Sequence, residues 1–212
     1  MSSRAMILEK LRAAGSPERI NREVMPRTEI RRGDADVFIE KATAAAAQVI
    51  KTTVDNVPQA VRDILAEIGC RNLLLSDEGI IREFKIEAVA GEMGIALQFT
   101  GELPAEEYRS QIFQVEAGIS GCDFALADSG SIVIKHDGDK QRLLSLAPDH
   151  YIALVKASQL LKDRFDLALL LEKEKTAAVT LITGVSRTAD VALQVVLGMH
   201  GPRKVYILLI ED

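Results

Sequence analysis

Apolar and polar residues follow two periods along the first half of the chain, which predicts helices and strands in alternation. The segments with the helical period are Asp34–Ala45, Val57–Ile68 and Ile81–Ala90. The extended apolar segments between them are Ala47–Thr53, Asn72–Ser76 and Ile95–Thr100. Because helices and strands alternate, we expect an α/β fold, with a mostly parallel sheet covered by helices on both faces.

The second half begins with two extended runs, at 122–128 and 131–136, on either side of Ser129-Gly130. They predict a hairpin, although 122–127 is also compatible with a helical turn. Further strands are expected at Tyr151–Val155, Ala177–Ile182 and Lys204–Ile210, and further helices at Ala157–Leu171 and Thr188–Leu197. The last strand, KVYILLI, is apolar throughout, which predicts burial on both faces and a parallel return beside the first strand.

The chain begins differently. Ser2–Ala14 reads as a short amphipathic helix with Ile7, Leu8 and Leu11 on one stripe, and residues 18–33 are polar. Arg27, Arg31 and Arg32 form the basic end of that stretch, which we interpret as a linker or a wrapping arm. The predicted organisation is therefore an N-terminal arm, residues 1–33, followed by one α/β domain, residues 34–212.

Composition removes several function classes. The 26 basic and 31 acidic residues give a net charge of −5, unlike the clustered basic surface of a nucleic-acid-binding protein. Cys70 and Cys122 are too few for an iron–sulfur cluster, and His136, His150 and His200 lack metal-ligand spacing, so we expect no metal in this chain. No apolar run is long enough to span a membrane, and the N-terminus lacks the apolar core of a signal peptide, so a cytoplasmic location is expected.

The absence of several well-known motifs excludes further classes of function. The chain has no GxGxxG at a strand–helix turn, no GxxxxGK[ST] and no GxSxG, so dinucleotide-binding, P-loop and serine-hydrolase functions are not expected.

The first candidate site is the predicted strand–helix junction at residues 183–190. Ligands of open α/β sheets bind beyond the carboxyl ends of the strands, where helices begin. Gly184 permits a tight turn, Ser186 is a natural N-cap, and Arg187 and Thr188 lie beside the free N–H groups of the predicted helix. A carboxylate or phosphate would bind there. The alternative is that Ser186 and Asp190 merely cap the helix.

The second candidate is the turn Asp128-Ser129-Gly130-Ser131. A carboxylate at the tip of a tight turn could act as a base or a nucleophile. The alternative is an ordinary hairpin turn, since such turns favour these residue types. His200 is a further catalytic candidate, although a histidine at a helix end can simply offset the helix dipole.

Three blocks of sequence resemble the LUD-domain (lactate utilization) family. The tail reads TGVSRTADVALQVVLGMHGPRKVYILLIED, which is similar to the family's Gly-x-Ser-Arg-Thr-Ala-Asp block, apolar segment and Gly-x-His-Gly-Pro block. Residues 124–133 are similar to its Ala-x-Ala-Glu-Thr-Gly-Thr segment, with Asp128, Ser129 and Ser131 in place of Glu, Thr and Thr. Residues 146–150 resemble a third block, in which a proline and a histidine precede a strand.

The resemblance implies a fold like that of ribose-5-phosphate isomerase and the CoA transferases. It also implies a part in oxidising L-lactate to pyruvate, with iron–sulfur clusters on partner proteins and no cofactor in this chain, which lacks the cysteine-rich motifs of a sister subunit. We therefore expect a non-redox subunit that binds a partner or a small carboxylate. The alternative is a free-standing, oligomeric enzyme acting on a sugar phosphate or acyl thioester, in which Arg187 holds the anion and Asp128 does acid–base or nucleophilic work.

Overall fold

A six-stranded parallel sheet forms the centre of the molecule. The computed structural model describes residues 4, 6, 7, 9, 10, 29–102, 104–136, 142–172, 176, 178–189, 195–197 and 201–211. The strands of this sheet are β1 (Gln48–Thr53), β2 (Asn72–Leu75), β3 (Ala96–Phe99), β4 (Ala117–Gly121), β7 (His150–Lys156) and β12 (Lys204–Glu211). Their order is β1-β12-β7-β4-β2-β3, and every neighbouring pair is parallel.

Smaller sheets supplement the parallel one. The second sheet contains β5 (Phe124–Leu126), β6 (Ser131–Lys135), β8 (Leu160–Leu161) and β9 (Val179–Ile182), in the order β8-β5-β6-β9. β5 and β6 pair antiparallel, which confirms the predicted hairpin. A third sheet pairs β10 (Arg187–Ala189) with β11 (Val195–Leu197) antiparallel.

Helices cover both faces of the parallel sheet. They are α1 (Ala35–Ala44), α2 (Val57–Glu67), α3 (Gly79–Glu83), α4 (Ile86–Glu92), α5 (Ala105–Gln111) and α6 (Arg164–Leu171). Short 3-10 turns occur at 54–56, 100–102, 142–145 and 157–159. The side chain of Asp34 accepts hydrogen bonds from the backbone N–H groups of Asp36 and Val37, so it caps α1 as predicted. Among the described helices, none is long and apolar enough to cross a membrane.

Strand β12 shows how the sheet separates two cores. Tyr206, Leu208 and Ile210 pack in one core with residues of α2 and α4. Side chains one position earlier, at 205, 207 and 209, pack in the other core with α1 and the second sheet. Because successive side chains of a strand point to opposite faces, this strand is buried on both sides, and the predicted α/β architecture is confirmed.

Three predicted helices differ from the structure. Ile81–Ala90 is divided between α3 and α4, because Lys85 between them has a left-handed backbone conformation, with φ of +51°. Thr188–Leu197 was expected to be helical, but its described positions form β10 and β11. Ala157–Leu171 divides into the 157–159 turn, β8 and α6. Short apolar runs fit helix and strand periods equally well, and pairing with a neighbouring strand decides between them. Leu160 and Leu161 pair with β5, and Asp163 then caps α6.

The end of the predicted arm packs against the second sheet. The backbone N–H of Gly33 donates to Leu160, and that of Lys162 donates to Arg31, beside a β-bridge between Arg32 and Leu161. The Arg31 guanidinium lies 2.6 Å from Asp163 and 3.3 Å from the fully buried Asp166. Residues 31–33 therefore extend the sheet beyond β8. Arg4, Met6 and Ile7, with residues 9 and 10, are helical, whereas Leu8, Leu11 and Arg27 lie outside the described residues.

Candidate functional site

The structure brings the two sequence-predicted motifs together. The Ser131 hydroxyl lies 2.9 Å from that of Ser129 and 2.7 Å from that of Thr183, so a chain of three hydroxyl groups links the 127–130 turn to the 183–187 segment. Ser131 is buried, which shields this link from water. The two motifs, which sequence analysis treats as separate candidate sites, therefore lie in one locality of the fold.

Gly130 and Gly184 meet the end of α1. Both have a left-handed backbone conformation, with φ of +65° and +69°. A Cβ on Gly130 would collide with the backbone of Ala42, and a Cβ on Gly184 would collide with the carbonyl oxygen of Ala45. Glycine at these positions is explained by packing on α1, without reference to a ligand.

This locality lies at the amino edge of the parallel sheet. Gly184 contacts Ala45, shortly before β1 begins, and the Ser186 N–H donates to Pro202 (3.2 Å), shortly before β12 begins. The expectation that residues 183–190 follow the carboxyl end of a parallel strand is wrong, because β9 belongs to the second sheet and pairs antiparallel with β6. β10 follows where a helix was expected, so Ser186 is not an N-cap there.

The predicted charged groups of this locality are exposed. The Arg187 guanidinium lies 3.5 Å from the carbonyl oxygen of Ala44, at the C-terminal end of α1. Asp128 is exposed, and its backbone N–H donates to Lys162. The side chain of Thr188 lies outside the described residues, as do Asp190 and His200. Anion binding by Arg187 and an acid–base role for Asp128 or His200 stay predictions.

A second polar locality occupies the carboxyl edge of the parallel sheet. From β2 the chain continues outward to β3 and then returns across β2 to β4, so the direction of winding reverses between β2 and β4. In open α/β sheets, ligands bind in the crevice at such a reversal. Glu78 lies at this point, directly after β2. One carboxylate oxygen accepts hydrogen bonds from the Gly121 N–H at 2.8 Å and from the Ser76 hydroxyl at 2.7 Å.

Gly121, at the end of β4, lies close to Glu78 and Ile80. A Cβ at that position would lie 2.8 Å from the Ile80 side chain and 3.4 Å from the nearer Glu78 oxygen. The contact with Ile80 is shorter than an ordinary non-bonded contact, so a larger residue would displace that side chain, whereas the distance to the Glu78 oxygen is that of an ordinary contact. The Glu78 carboxylate is therefore positioned by its hydrogen bonds to the Gly121 N–H and the Ser76 hydroxyl.

Buried hydrogen bonds connect β4 and β7 at this edge of the sheet. The Ser120 and Tyr151 hydroxyl groups lie 2.7 Å apart, and Tyr151 is fully buried. Burial raises the pKa of Tyr151 far above its usual value, so its hydroxyl stays protonated. The Gln159 amide donates to the Cys122 carbonyl at 2.6 Å and accepts from the Lys156 N–H at 2.8 Å. These bonds tie the ends of β4 and β7 together.

The charged side chains at the carboxyl edge have ion-pair or hydrogen-bond partners. The Lys156 ammonium lies 2.8 and 3.0 Å from the two carboxylate oxygens of Glu83, with Lys156 three-tenths exposed. Asp77 accepts hydrogen bonds from the Thr100 hydroxyl and the Gly101 N–H. This edge therefore offers fixed carboxylates, hydroxyl groups and a lysine. Such groups can accept a proton from a substrate hydroxyl and orient a small polar molecule.

The two cysteines do not form one ligand set. Cys70 precedes the amino end of β2, whereas Cys122 follows the carboxyl end of β4, and these strands are parallel neighbours. The thiols thus lie at opposite edges of the sheet and cannot ligate one cluster. Burial raises the pKa of Cys70 to about 11. Within the described residues, no three His, Cys, Asp or Glu side chains are arranged to hold a metal ion.

The other two histidines have partners in the fold. An imidazole nitrogen of the buried His136 lies 2.7 Å from the Thr180 hydroxyl. The Nδ1 atom of His150 lies 3.1 Å from the carbonyl oxygen of Glu116. Both contacts join neighbouring strands or strand ends, which indicates structural roles.

Sequence reasoning missed the carboxyl edge. Ser76-Asp77-Glu78-Gly79 follows the apolar run of β2, so a strand–helix junction rich in polar residues was available as a signal. The partner of Glu78, however, is Gly121, which lies 43 positions further along the chain in a strand that the sequence did not predict. Only the fold joins these two residues.

Comparison with known proteins agrees with this architecture. The family model described as LUD domain matches residues 35–210. Lactate utilization protein C of Halalkalibacterium halodurans is 26% identical over 183 residues, covering 84% of this chain and 79% of the relative. The protein of the same name from Oceanobacillus iheyensis is 24% identical and covers 100% of this chain and 96% of the relative. The uncharacterized protein YkgG of Escherichia coli is 27% identical, with coverages of 84% and 79%.

A solved structure shows the same fold. The crystal structure of a DUF162 family protein from Deinococcus radiodurans superimposes with a TM-score of 0.60 at 19% identity, covering 82% of this chain and 94% of that one. At this identity the likeness concerns the fold alone. The family model spans most of the chain, from α1 to the end of β12, and the chain therefore belongs to the LUD-domain family.

Proposed function

We propose that this chain is a component of an L-lactate utilization system in the cytoplasm, which oxidises L-lactate to pyruvate with iron–sulfur partner proteins. The observation that carries the proposal is the similarity, over 84–100% of the chain, to relatives named lactate utilization protein C. Those matches also cover 79–96% of the relatives, so they concern nearly whole proteins.

The chemistry of lactate oxidation suggests which steps belong to this chain and which to its partners. Converting the secondary alcohol of lactate to the ketone of pyruvate removes two electrons and two protons. In this chain the two thiols lie at opposite edges of the sheet, so they do not form a cluster site. We assign the electrons to clusters on partner subunits and a substrate-binding or partner-binding role to this chain.

Within this role, we assign the substrate to the carboxyl edge. Glu78 is held by the Gly121 N–H and the Ser76 hydroxyl, so its carboxylate is fixed where the winding of the sheet reverses. A fixed carboxylate can accept a hydrogen bond from the 2-hydroxyl of lactate, and it can accept the proton when that group is oxidised. Lys156 lies at the end of β7, on the other side of β4 from β2, where its ammonium group forms an ion pair with Glu83.

A free-standing enzyme on the same fold is the second candidate. The observation favouring it is again the fixed Glu78 carboxylate, which could serve acid–base or nucleophilic chemistry on an anionic sugar phosphate or acyl thioester. In this alternative, Arg187 at the amino edge would lie far from the reacting group, and Lys156 would be the nearer cation.

Gene deletion in the source organism tests the first proposal. We expect the deletion strain to lose growth on L-lactate as sole carbon source but to keep growth on pyruvate, and a plasmid copy of the gene to restore growth on L-lactate. Unchanged growth of the deletion strain on L-lactate would contradict the proposal.

A thermal-shift panel separates the two candidates. A ligand at a hundred times its dissociation constant adds about 2.7 kcal/mol of stability. Stabilisation by a sugar phosphate or CoA ester, lost in Glu78→Gln, would support the free-standing enzyme. Purification of the tagged chain from lactate-grown cells together with cysteine-rich, iron-containing proteins would support the subunit.

A further inference from the structure

A buried tyrosine hydroxyl lies against β4 near the carboxyl end of that strand. Tyr151 is fully buried and packs among apolar side chains such as Ala153, Val155 and Ile207. A phenylalanine would fill the same space without placing a hydroxyl group in an apolar core, which costs stability unless the group is hydrogen-bonded. The Tyr151 hydroxyl has such a partner, because it lies 2.7 Å from the Ser120 hydroxyl. This contact indicates that the hydroxyl serves to hold Ser120.

The hydrogen bonds beyond Ser120 run in one direction, toward the proposed substrate site. Ser120 donates its proton to the carbonyl oxygen of Gly121 at 2.8 Å. A hydroxyl group has one proton, so the Tyr151 hydroxyl is the donor in its bond with Ser120. The Gly121 N–H in turn donates to the Glu78 carboxylate at 2.8 Å. Three hydrogen bonds thus connect the buried Tyr151 to Glu78.

The backbone at the end of β4 is held at three successive polar groups. The N–H of Gly121 donates to Glu78, and its C=O accepts from Ser120. The C=O of the next residue, Cys122, accepts from the Gln159 amide at 2.6 Å. The last two bonds fix the chain on the far side of Gly121, so they help to set the direction in which the Gly121 N–H points.

We propose that Tyr151 is a positioning residue for Glu78, which holds Ser120, and through it Gly121, in the orientation that binds the carboxylate. The inference rests on the proposed role of Glu78 in lactate utilization, and it gives Tyr151 no contact with the substrate. Burial raises the pKa of Tyr151 far above its usual value, and the neighbouring Cys122 and Glu78 raise it further. The tyrosine proton therefore stays in place when the charge at Glu78 changes.

Proton–nitrogen NMR of the isotope-labelled full-length chain tests the positioning without reference to lactate. An amide proton that donates to a carboxylate resonates downfield, and its signal moves when the carboxylate is protonated. We expect the Gly121 amide signal to respond to pH in this way in the wild-type chain and to lose the response in Glu78→Gln. In Tyr151→Phe, the signal should move toward its position in Glu78→Gln.

Tyr206→Phe is the matched control. Tyr206 is also fully buried, but its hydroxyl donates to Glu67 at 3.2 Å, at the amino edge of the sheet. This variant loses a buried tyrosine hydroxyl from the same sheet and should leave the Gly121 signal unchanged.

Ser120→Ala removes the middle of the hydrogen-bonded chain and provides a second variant in case Tyr151→Phe does not fold. We expect it to move the Gly121 signal in the same direction as Tyr151→Phe. An unchanged Gly121 signal in Ser120→Ala and in folded Tyr151→Phe would overturn the proposal.

Growth on L-lactate connects the positioning with function. In the deletion strain, a Tyr151→Phe copy of the gene should lengthen the doubling time on L-lactate but not on pyruvate, whereas Tyr206→Phe should match the wild-type copy. Wild-type growth with Tyr151→Phe, under conditions in which Glu78→Gln fails, would overturn the proposal. Wild-type growth with both variants would instead contradict the proposed function, and the Gly121 signal would then decide the positioning by itself.

Discussion

The contact of Gly184 with α1 makes a quantitative prediction about stability. Gly184→Ala places a Cβ against the carbonyl oxygen of Ala45 while the backbone has φ of +69°. The left-handed conformation costs an alanine about 1–2 kcal/mol. Relieving the collision costs about another 1–3 kcal/mol, as for other overpacked sites. We therefore expect the free energy of unfolding to fall by about 3 kcal/mol.

Two other glycines separate these contributions. Gly69 also has a positive φ, +63°, but no atom lies within 4 Å of the place where a Cβ would be. Gly69→Ala should therefore cost about 1 kcal/mol, the conformational part alone. Gly91 lies in α4 with open space around it, so Gly91→Ala should be neutral or stabilising by up to about 1 kcal/mol.

Urea unfolding followed by circular dichroism measures all three variants. For a chain of this size, a loss of about 3 kcal/mol corresponds to a fall in Tm of about 6–12 °C. Gly130→Ala should resemble Gly184→Ala, because it collides with the same end of α1. If Gly184→Ala lost no more stability than Gly69→Ala, the claim that these glycines are required for packing on α1 would be refuted.

Three further predictions concern buried or paired groups. Asp166→Asn should lower the free energy of unfolding by about 1.5–3 kcal/mol, because a fully buried carboxylate loses its charge-assisted hydrogen bonds to Arg31; equal stability in urea would contradict this. Hydrogen bonds from the backbone N–H groups of residues 71 and 72 and from the Arg71 guanidinium lower the pKa of Glu116 in the folded chain. Ionised Glu116 therefore stabilises the fold fully at a pH above its pKa in the unfolded chain, and this stabilisation is lost as the pH falls through its lower pKa in the folded chain. Acid titration should thus destabilise the wild-type chain more than Glu116→Gln. In a Cys122→Ala background, Cys70 should react about a hundredfold more slowly with iodoacetamide at pH 8 when folded than when unfolded, because its pKa is about 11 instead of 9.0.

Sequence reasoning predicted the parts of the fold whose pattern is local. The run KVYILLI in β12 is short, rich in β-branched and aromatic residues and preceded by Gly201-Pro202, which favours a strand buried on both faces. Asp34 precedes an apolar helical period and caps α1. The hairpin of β5 and β6 has Gly130 at its turn. In each case, the local pattern of residues favours the structure that is observed.

Tertiary pairing decides the parts that sequence reasoning missed. β4 reads Ala-Gly-Ile-Ser-Gly, which has little intrinsic preference for a strand, yet it lies between β2 and β7 with all five residues buried. The apolar pattern after Arg187 is compatible with a helix, but residues 187–189 pair with residues 195–197 as antiparallel strands. The Glu78 site depends on both effects, because Gly121 ends the unpredicted strand.

The central claim is that this chain acts in lactate utilization from the carboxyl edge of its sheet. The most direct measurement is growth of the deletion strain on L-lactate when it carries wild-type, Glu78→Gln or Glu87→Gln copies of the gene. Glu87 is an exposed glutamate of α4 and serves as the matched control. We expect wild-type and Glu87→Gln to restore growth, and Glu78→Gln to fail although its Tm is that of the wild-type chain. Full growth with Glu78→Gln would contradict the account.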